Sequence, residues 1–238
     1  MSEIKDYLDK CQNDYNFDDY NFNIYNIEEP NLLKKYGTIK IVKIKLSGEG
    51  GTLVVIPGYS FKSFCSMIQK IFKGFDYIKD KYTDFYMISW SPEIKELSQE
   101  VIKGVDDTDT KYRLNEQFRI EMAHIVDKIL RSPSMDFKNF TLLGKSAGGG
   151  VSMYIASMNQ EVKTLLICCP GISEKGKPLA NRIELDIRLS WNEDDDVIPF
   201  KVSDDIIEDF KLQGNSYKFY SYEKGGHELN IEFLKDIA

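Results

Sequence analysis

Apolar positions along this chain recur with two different periods, and the switches between them mark out strands and helices. Phe22-Asn-Ile-Tyr-Asn-Ile27 and Thr38-Ile-Lys-Ile-Val-Lys-Ile-Lys-Leu46 alternate apolar with polar residues. Period two with β-branched side chains predicts half-exposed antiparallel strands. Ser47-Gly-Glu-Gly-Gly51 reads as a turn, and Thr52-Leu-Val-Val-Ile56 is an apolar run of the kind found in strands covered on both faces of a parallel sheet. Asp84–Trp90, Phe140–Leu143, Val162–Cys169, Ile183–Trp191 and Tyr217–Tyr222 supply the remaining strands. Between them the spacing turns helical. Phe64, Ile68 and Phe72 share a stripe, as do Leu114, Phe118, Met122, Ile125 and Ile129 within Arg113–Arg131. Val151–Met158, Phe200–Leu212 and Glu228–Ile237 are helical segments too. An antiparallel start followed by strand–helix alternation predicts an α/β fold, a three-layer α/β/α sandwich around a mostly parallel sheet.

No repeat or linker divides residues 22–238, so a single domain is expected there, large enough for a substantial core. Residues 1–21 are acidic and rich in Asn and Tyr, and read as an N-terminal arm, loosely held or forming a short helix. Residues 91–112 contain Pro92, Gly104 and the acidic run Asp106-Asp-Thr-Asp109, and read as a candidate lid insertion.

Composition narrows the function classes. Hydrophobic residues make up 42% and charged residues 29%, ordinary for a soluble globular protein. A net charge of −7 argues against a nucleic-acid partner and against attraction to anionic membranes. No apolar run reaches membrane-spanning length, and no secretory signal is read at the N-terminus. Cys11, Cys65, Cys168 and Cys169 lack C-x-x-C spacing, which fits reduced, buried thiols and a cytoplasmic location. With two histidines in the chain, no metal constellation is expected.

The stretch that carries chemistry is Gly144-Lys-Ser-Ala-Gly148, set between a buried strand and a helix. A G-x-S-x-G turn there holds the serine in a strained conformation with its hydroxyl thrust out. The glycines are required because a Cβ on either side would strike the neighbouring backbone. The following helix begins just past Ser146 and favours negative charge beside the hydroxyl. Downstream lies one histidine, His227, in the Gly-flanked turn Lys224-Gly-Gly-His-Glu228. His124 falls on the polar side of its helix and reads as a surface residue.

These residues resemble the nucleophile elbow and histidine turn of the α/β-hydrolase superfamily, in its serine esterase or lipase-like form with little or no cap. The resemblance covers residues 22–238. It implies a Ser-acid-His order, with Ser146 as nucleophile and His227 as base. Asn192-Glu-Asp-Asp-Asp-Val-Ile-Pro199 resembles the family's acid turn, with Asn192 where a Gly is usual. Alignment on Pro199 gives Asp195 as the acid, with Asp194 and Asp196 as one-residue alternatives. The oxyanion donors implied are the N–H groups of Ala147 and of Tyr59, with Gly58 leaving the loop bare. Gly58, Tyr59, Ile172 and Ile198, with Phe61 and Trp90, are candidate pocket residues. Lys145 inside the elbow is unusual and would favour an anionic substrate, but reads rather as an exposed lysine without a role. The implied activity is hydrolysis of a carboxylic ester or thioester, on a small molecule or a carrier, without cofactor or metal. An acyltransferase, a peptidase or a catalytically silent binding protein on the same fold remain alternatives at this point.

Overall fold

The computed structural model describes residues 2–15, 22–27, 36–133, 135 and 137–238. Its eight strands are β1 (Phe22–Ile27), β2 (Ile39–Lys45), β3 (Thr52–Ile56), β4 (Asp84–Ser89), β5 (Phe140–Lys145), β6 (Val162–Cys168), β7 (Asp186–Asn192) and β8 (Tyr217–Tyr222). They form one sheet in the order β1-β2-β4-β3-β5-β6-β7-β8. β1–β2 and β2–β4 pair antiparallel, and every other pair is parallel. β3 is buried at four successive positions, as its apolar run requires, whereas β2, expected to be half-exposed, buries Ile39 and Ile41 on one face and Val42 and Ile44 on the other, because it lies inside the sheet between β1 and β4.

Seven α-helices complete the described chain: α1 (Ser2–Tyr15), α2 (Phe61–Lys73), α3 (Pro92–Glu100), α4 (Thr108–Leu130), α5 (Ala147–Met158), α6 (Val202–Gln213) and α7 (Ile231–Asp236). Their starts are written in capping residues. Ser60 Oγ accepts Ser63 N–H at 3.0 Å, Asp107 Oδ2 accepts Thr110 N–H at 2.7 Å, and Asn230 Oδ1 accepts Glu232 N–H at 3.0 Å. α4 buries Phe118, Met122, Ala123, Ile125, Val126 and Ile129, and packs on α5. Among the described residues no helix is long and apolar enough to cross a membrane.

Two segments differ in detail from the sequence expectation. The arm contains a fourteen-residue helix, α1, whose Ile4, Leu8 and Cys11 are buried and whose Tyr7 hydroxyl donates to Cys65 O on α2 at 3.0 Å. Residues 16–21 of the arm lie outside the described residues. Residues 91–112 hold α3 and the first turn of α4. Between β6 and β7 there is a 3₁₀ turn, Lys177–Leu179, in place of a full crossover helix. The parallel strands β3, β5, β6, β7 and β8 all end on one edge of the sheet, and the loops leaving them carry the predicted site residues.

Candidate active site

β5 runs directly into α5 with a single residue, Ser146, between them. Its backbone sits at φ 55°, ψ −129°, a region that residues with a Cβ rarely enter. Hydrogen bonds on both sides hold it there. Ser146 N–H donates to Cys168 O at 3.1 Å, and its carbonyl accepts from Gly171 N–H at 2.7 Å and Gly149 N–H at 2.9 Å. The flanking glycines are sterically obligatory. A Cβ on Gly144 would stand 2.6 Å from Gly148 O, and one on Gly148 would stand 2.2 Å from Ile56 O.

The loop after β3 lies against this turn. A Cβ on Gly58 would come within 3.7 Å of Ser146 Cβ. Trp90 Nε1 donates to Pro57 O at 2.9 Å, and Gly58 N–H donates to Ser63 Oγ at 3.0 Å, so the loop is pinned at both ends. Among the described residues the N–H groups of Tyr59 and Ala147 donate to no protein acceptor. Tyr59 packs edge-on against Trp90 and Phe118, and burial raises its phenol above the ordinary tyrosine range.

The acid turn and the histidine turn meet across the ends of β7 and β8. His227 Nδ1 lies 2.9 Å from Asp195 Oδ2 and 3.1 Å from Oδ1. The Asp195 side chain is fully buried, and its Oδ1 also accepts Val197 N–H and Ile198 N–H, both at 2.9 Å. An ionised carboxylate only accepts, so in a neutral imidazole paired this way Nδ1 is the donor and Nε2 the acceptor. That Nε2 is buried and has no protein partner among the described residues. Asp194 does something else. Its Oδ1 accepts Gly226 N–H at 2.7 Å, which holds its carboxyl below the usual range, and Asp196 is exposed.

Asn192, the residue standing where a Gly is usual, grips the histidine turn from the other side. Its Nδ2 donates to Gly226 O and Glu228 O, both at 2.8 Å, the two carbonyls either side of His227. Its Oδ1 accepts Asn230 Nδ2 at 2.9 Å. No sequence signal marked this role beyond the departure from Gly itself.

Ser146 and His227 open into one cleft of about 410 Å³, with Gly58 and Tyr59 in its wall. Both residues line this space, and no hydrogen bond joins Ser146 Oγ to His227 Nε2. Val197 contributes to the cleft, whereas Ile172, Ile198 and Phe61 are half-buried against the core and Trp90 is buried beneath Tyr59. Lys145 is not exposed. Its side chain is 4% exposed, and Nζ lies 3.4 Å from Glu228 Oε2, which also takes the Ser66 hydroxyl. His124 is exposed beside a separate open groove of about 570 Å³ along α4.

One cluster of metal-ligand types occurs among the described residues: Cys169, Asp195 and His227 present atoms within 4.8 Å of one another. Burial pushes the Cys169 thiol well above its ordinary value, away from the thiolate a metal needs, and Asp195 and His227 are already bonded to each other. The set does not fit a metal site.

Residues 81–232 match the sequence profile of the dienelactone hydrolase family. The chain belongs to the dienelactone hydrolase family. This family lies within the α/β-hydrolase superfamily and marks the protein as a hydrolase. No curated protein matches it by sequence. Among solved structures it is similar to a predicted CIB-like hydrolase from Thermoplasma acidophilum, at 16% identity and a TM-score of 0.58 over 92% of this chain and 94% of that one. It is similar to an α/β serine hydrolase homologue from Coxiella burnetii, at 14% identity and a TM-score of 0.60 over 91% and 97%. Acyl-protein thioesterase 2 from Zea mays gives 13% identity and a TM-score of 0.55 over 83% and 95%. At these identities the structural likeness speaks to the fold. The elbow and histidine turn of this dienelactone hydrolase family member both lie within the matched residues.

Proposed function

We propose that the protein is a serine hydrolase that cleaves a carboxylic ester or thioester through an acyl-enzyme on Ser146. The observation that carries this is the His227–Asp195 pair, which leaves a buried imidazole lone pair unpartnered in the same cleft as Ser146. A serine hydroxyl attacks only as its proton leaves. His227 Nε2 takes that proton while Ser146 Oγ adds to the carbonyl carbon. Asp195 holds the tautomer and stabilises the imidazolium. The N–H groups of Tyr59 and Ala147 receive the developing oxyanion. The imidazolium then protonates the leaving alcohol or thiol. Water, deprotonated by His227, releases the acid and restores the serine. Proton and electron counts balance with these residues and water alone. The open cleft suits a short acyl group, on a small molecule or at the tip of a carrier, and we place this activity in the cytoplasm.

The test is labelling by a fluorophosphonate, which needs an activated serine rather than a particular substrate. The wild type is expected to label at Ser146, and Ser146→Ala and His227→Ala to abolish labelling. Asp195→Asn is expected to slow it by about a thousandfold or more, because the tautomer is lost. A folded wild type that does not label would overturn the reading in favour of a binding protein without turnover.

A further inference from the structure

The cleft around Ser146 has a charge opposite to that of the chain. The protein carries a net −7, yet Lys62 from α2, Lys95 from α3 and Lys145 from the elbow all line the cleft, against one carboxylate, Glu228. Two positive charges are left in excess. Lys62 and Lys95 are exposed and, among the described residues, have no carboxylate partner. Lys145 is the reverse: it is buried, adjacent in sequence to the nucleophile, and aimed across the cleft floor at Glu228. Burying an ammonium is costly, and the 3.4 Å contact with a half-buried Glu228 repays it only in part. Elsewhere the wall carries hydroxyls and an amide, from Ser60, Ser63, Ser66, Ser98 and Gln99, beside the apolar surface of Tyr59 and Val197.

We propose that this cleft selects substrates that carry a phosphate monoester, bound by Lys62 and Lys95 at the rim with Lys145 below. This rests on the serine hydrolase reading and names its substrate class. The excess of two positive charges matches a phosphate dianion. Among the described residues no arginine lines the cleft, so the anion would be met by ammonium groups rather than by a planar guanidinium fork. Three ammonium groups act as point charges that can converge on a tetrahedral anion from different sides. The field of the cleft also gathers such a substrate against the repulsion of the acidic surface around it.

The experiment compares two acetyl esters that differ only in the phosphate, 1-acetylglycerol 3-phosphate and 1-acetylglycerol. The phosphorylated ester is expected to show kcat/KM higher by about tenfold or more at low salt, with the preference shrinking to about threefold at high salt. In the double variant Lys62→Gln/Lys95→Gln the ratio is expected to fall towards one. Equal kcat/KM for the two esters in the wild type would overturn the proposal, as would a preference untouched by the double variant. 4-Nitrophenyl hemisuccinate against 4-nitrophenyl butyrate forms a second arm: a preference confined to the carboxylate pair would also overturn it. If neither ester turns over and no fluorophosphonate label is taken, the serine reading has failed. The anion subsite is then read separately by titrating inorganic phosphate and following amide chemical shifts, which are expected to move in the wild type and not in the double variant. No shifts in the wild type would overturn it there as well.

Discussion

Asn192 shows what one side chain can do for another that it does not touch through its reactive atoms. Both of its amide protons go to the carbonyls flanking His227, and its oxygen is held by Asn230. Asp194 takes the Gly226 N–H and Asp195 takes the imidazole, so one short turn holds the histidine turn by its backbone and its ring. On the proposed mechanism Asn192 is therefore a positioning residue. Asn192→Asp replaces a double donor by an acceptor facing two carbonyls, and is expected to lower the fluorophosphonate labelling rate by about tenfold to a hundredfold, the scale of a small misplacement. The affinity for a non-covalent competitor should be unchanged, and a parallel loss of both would point to a merely structural role. Asn192→Gly removes the clamp without adding charge and should fall between that variant and wild type. Ser146, Asp195 and His227 were legible because each sits in a turn whose glycines or proline mark it. Asn192 and Lys145 were not, because their roles depend on where a long polar side chain is led by the tertiary fold. Lys145 in particular is the last residue of β5, and nothing in the strand's period told that its amine turns inward to Glu228.

At the scale of elements, the passage from β5 into α5 leaves no slack. Gly148→Ala would put a methyl group 2.2 Å from Ile56 O, backbone that cannot swing away. The variant is expected to lose about 1–3 kcal/mol of stability in denaturant unfolding. It should lose labelling as well, since α5 can only make room by shifting away from the β3 loop and taking Ala147 N–H with it. The strands were readable one by one from period two and unbroken apolar runs, but the alternation of β2 did not tell that both its faces are covered, because its lysines reach past the sheet while Val42 and Ile44 are buried. Two helices were harder. α3 begins at Pro92, and a proline there reads as an interruption although it fits the first turn of a helix. α1 buries Ile4, Leu8 and Cys11 at helical spacing, but the charges between them left the segment readable either as a loosely held arm or as a short helix.

For the whole molecule, the buried thiols set an alkaline limit. Burial pushes Cys168 from 9.0 up to about 12 and Cys65 up to about 11. A raised value means that the folded chain keeps a proton that the unfolded chain gives up. That contribution is fully present below pH 9.0 and is lost as pH rises towards 12. Guanidinium midpoints are expected to slide downward from pH 9 to pH 11. The slide should be shallower in Cys168→Ala, even though that variant starts from a lower midpoint for lack of the sulfur.

The strained backbone at Ser146 sets stability against chemistry. At φ 55°, ψ −129° a Cβ is unwelcome, and the cost is of the order of 1–3 kcal/mol. Glycine would occupy that conformation freely, alanine would not. Ser146→Gly is therefore expected to melt higher than Ser146→Ala, read as the difference between their thermal midpoints. On the proposed mechanism, thermal robustness alone would favour glycine here, and turnover is what would call for the serine.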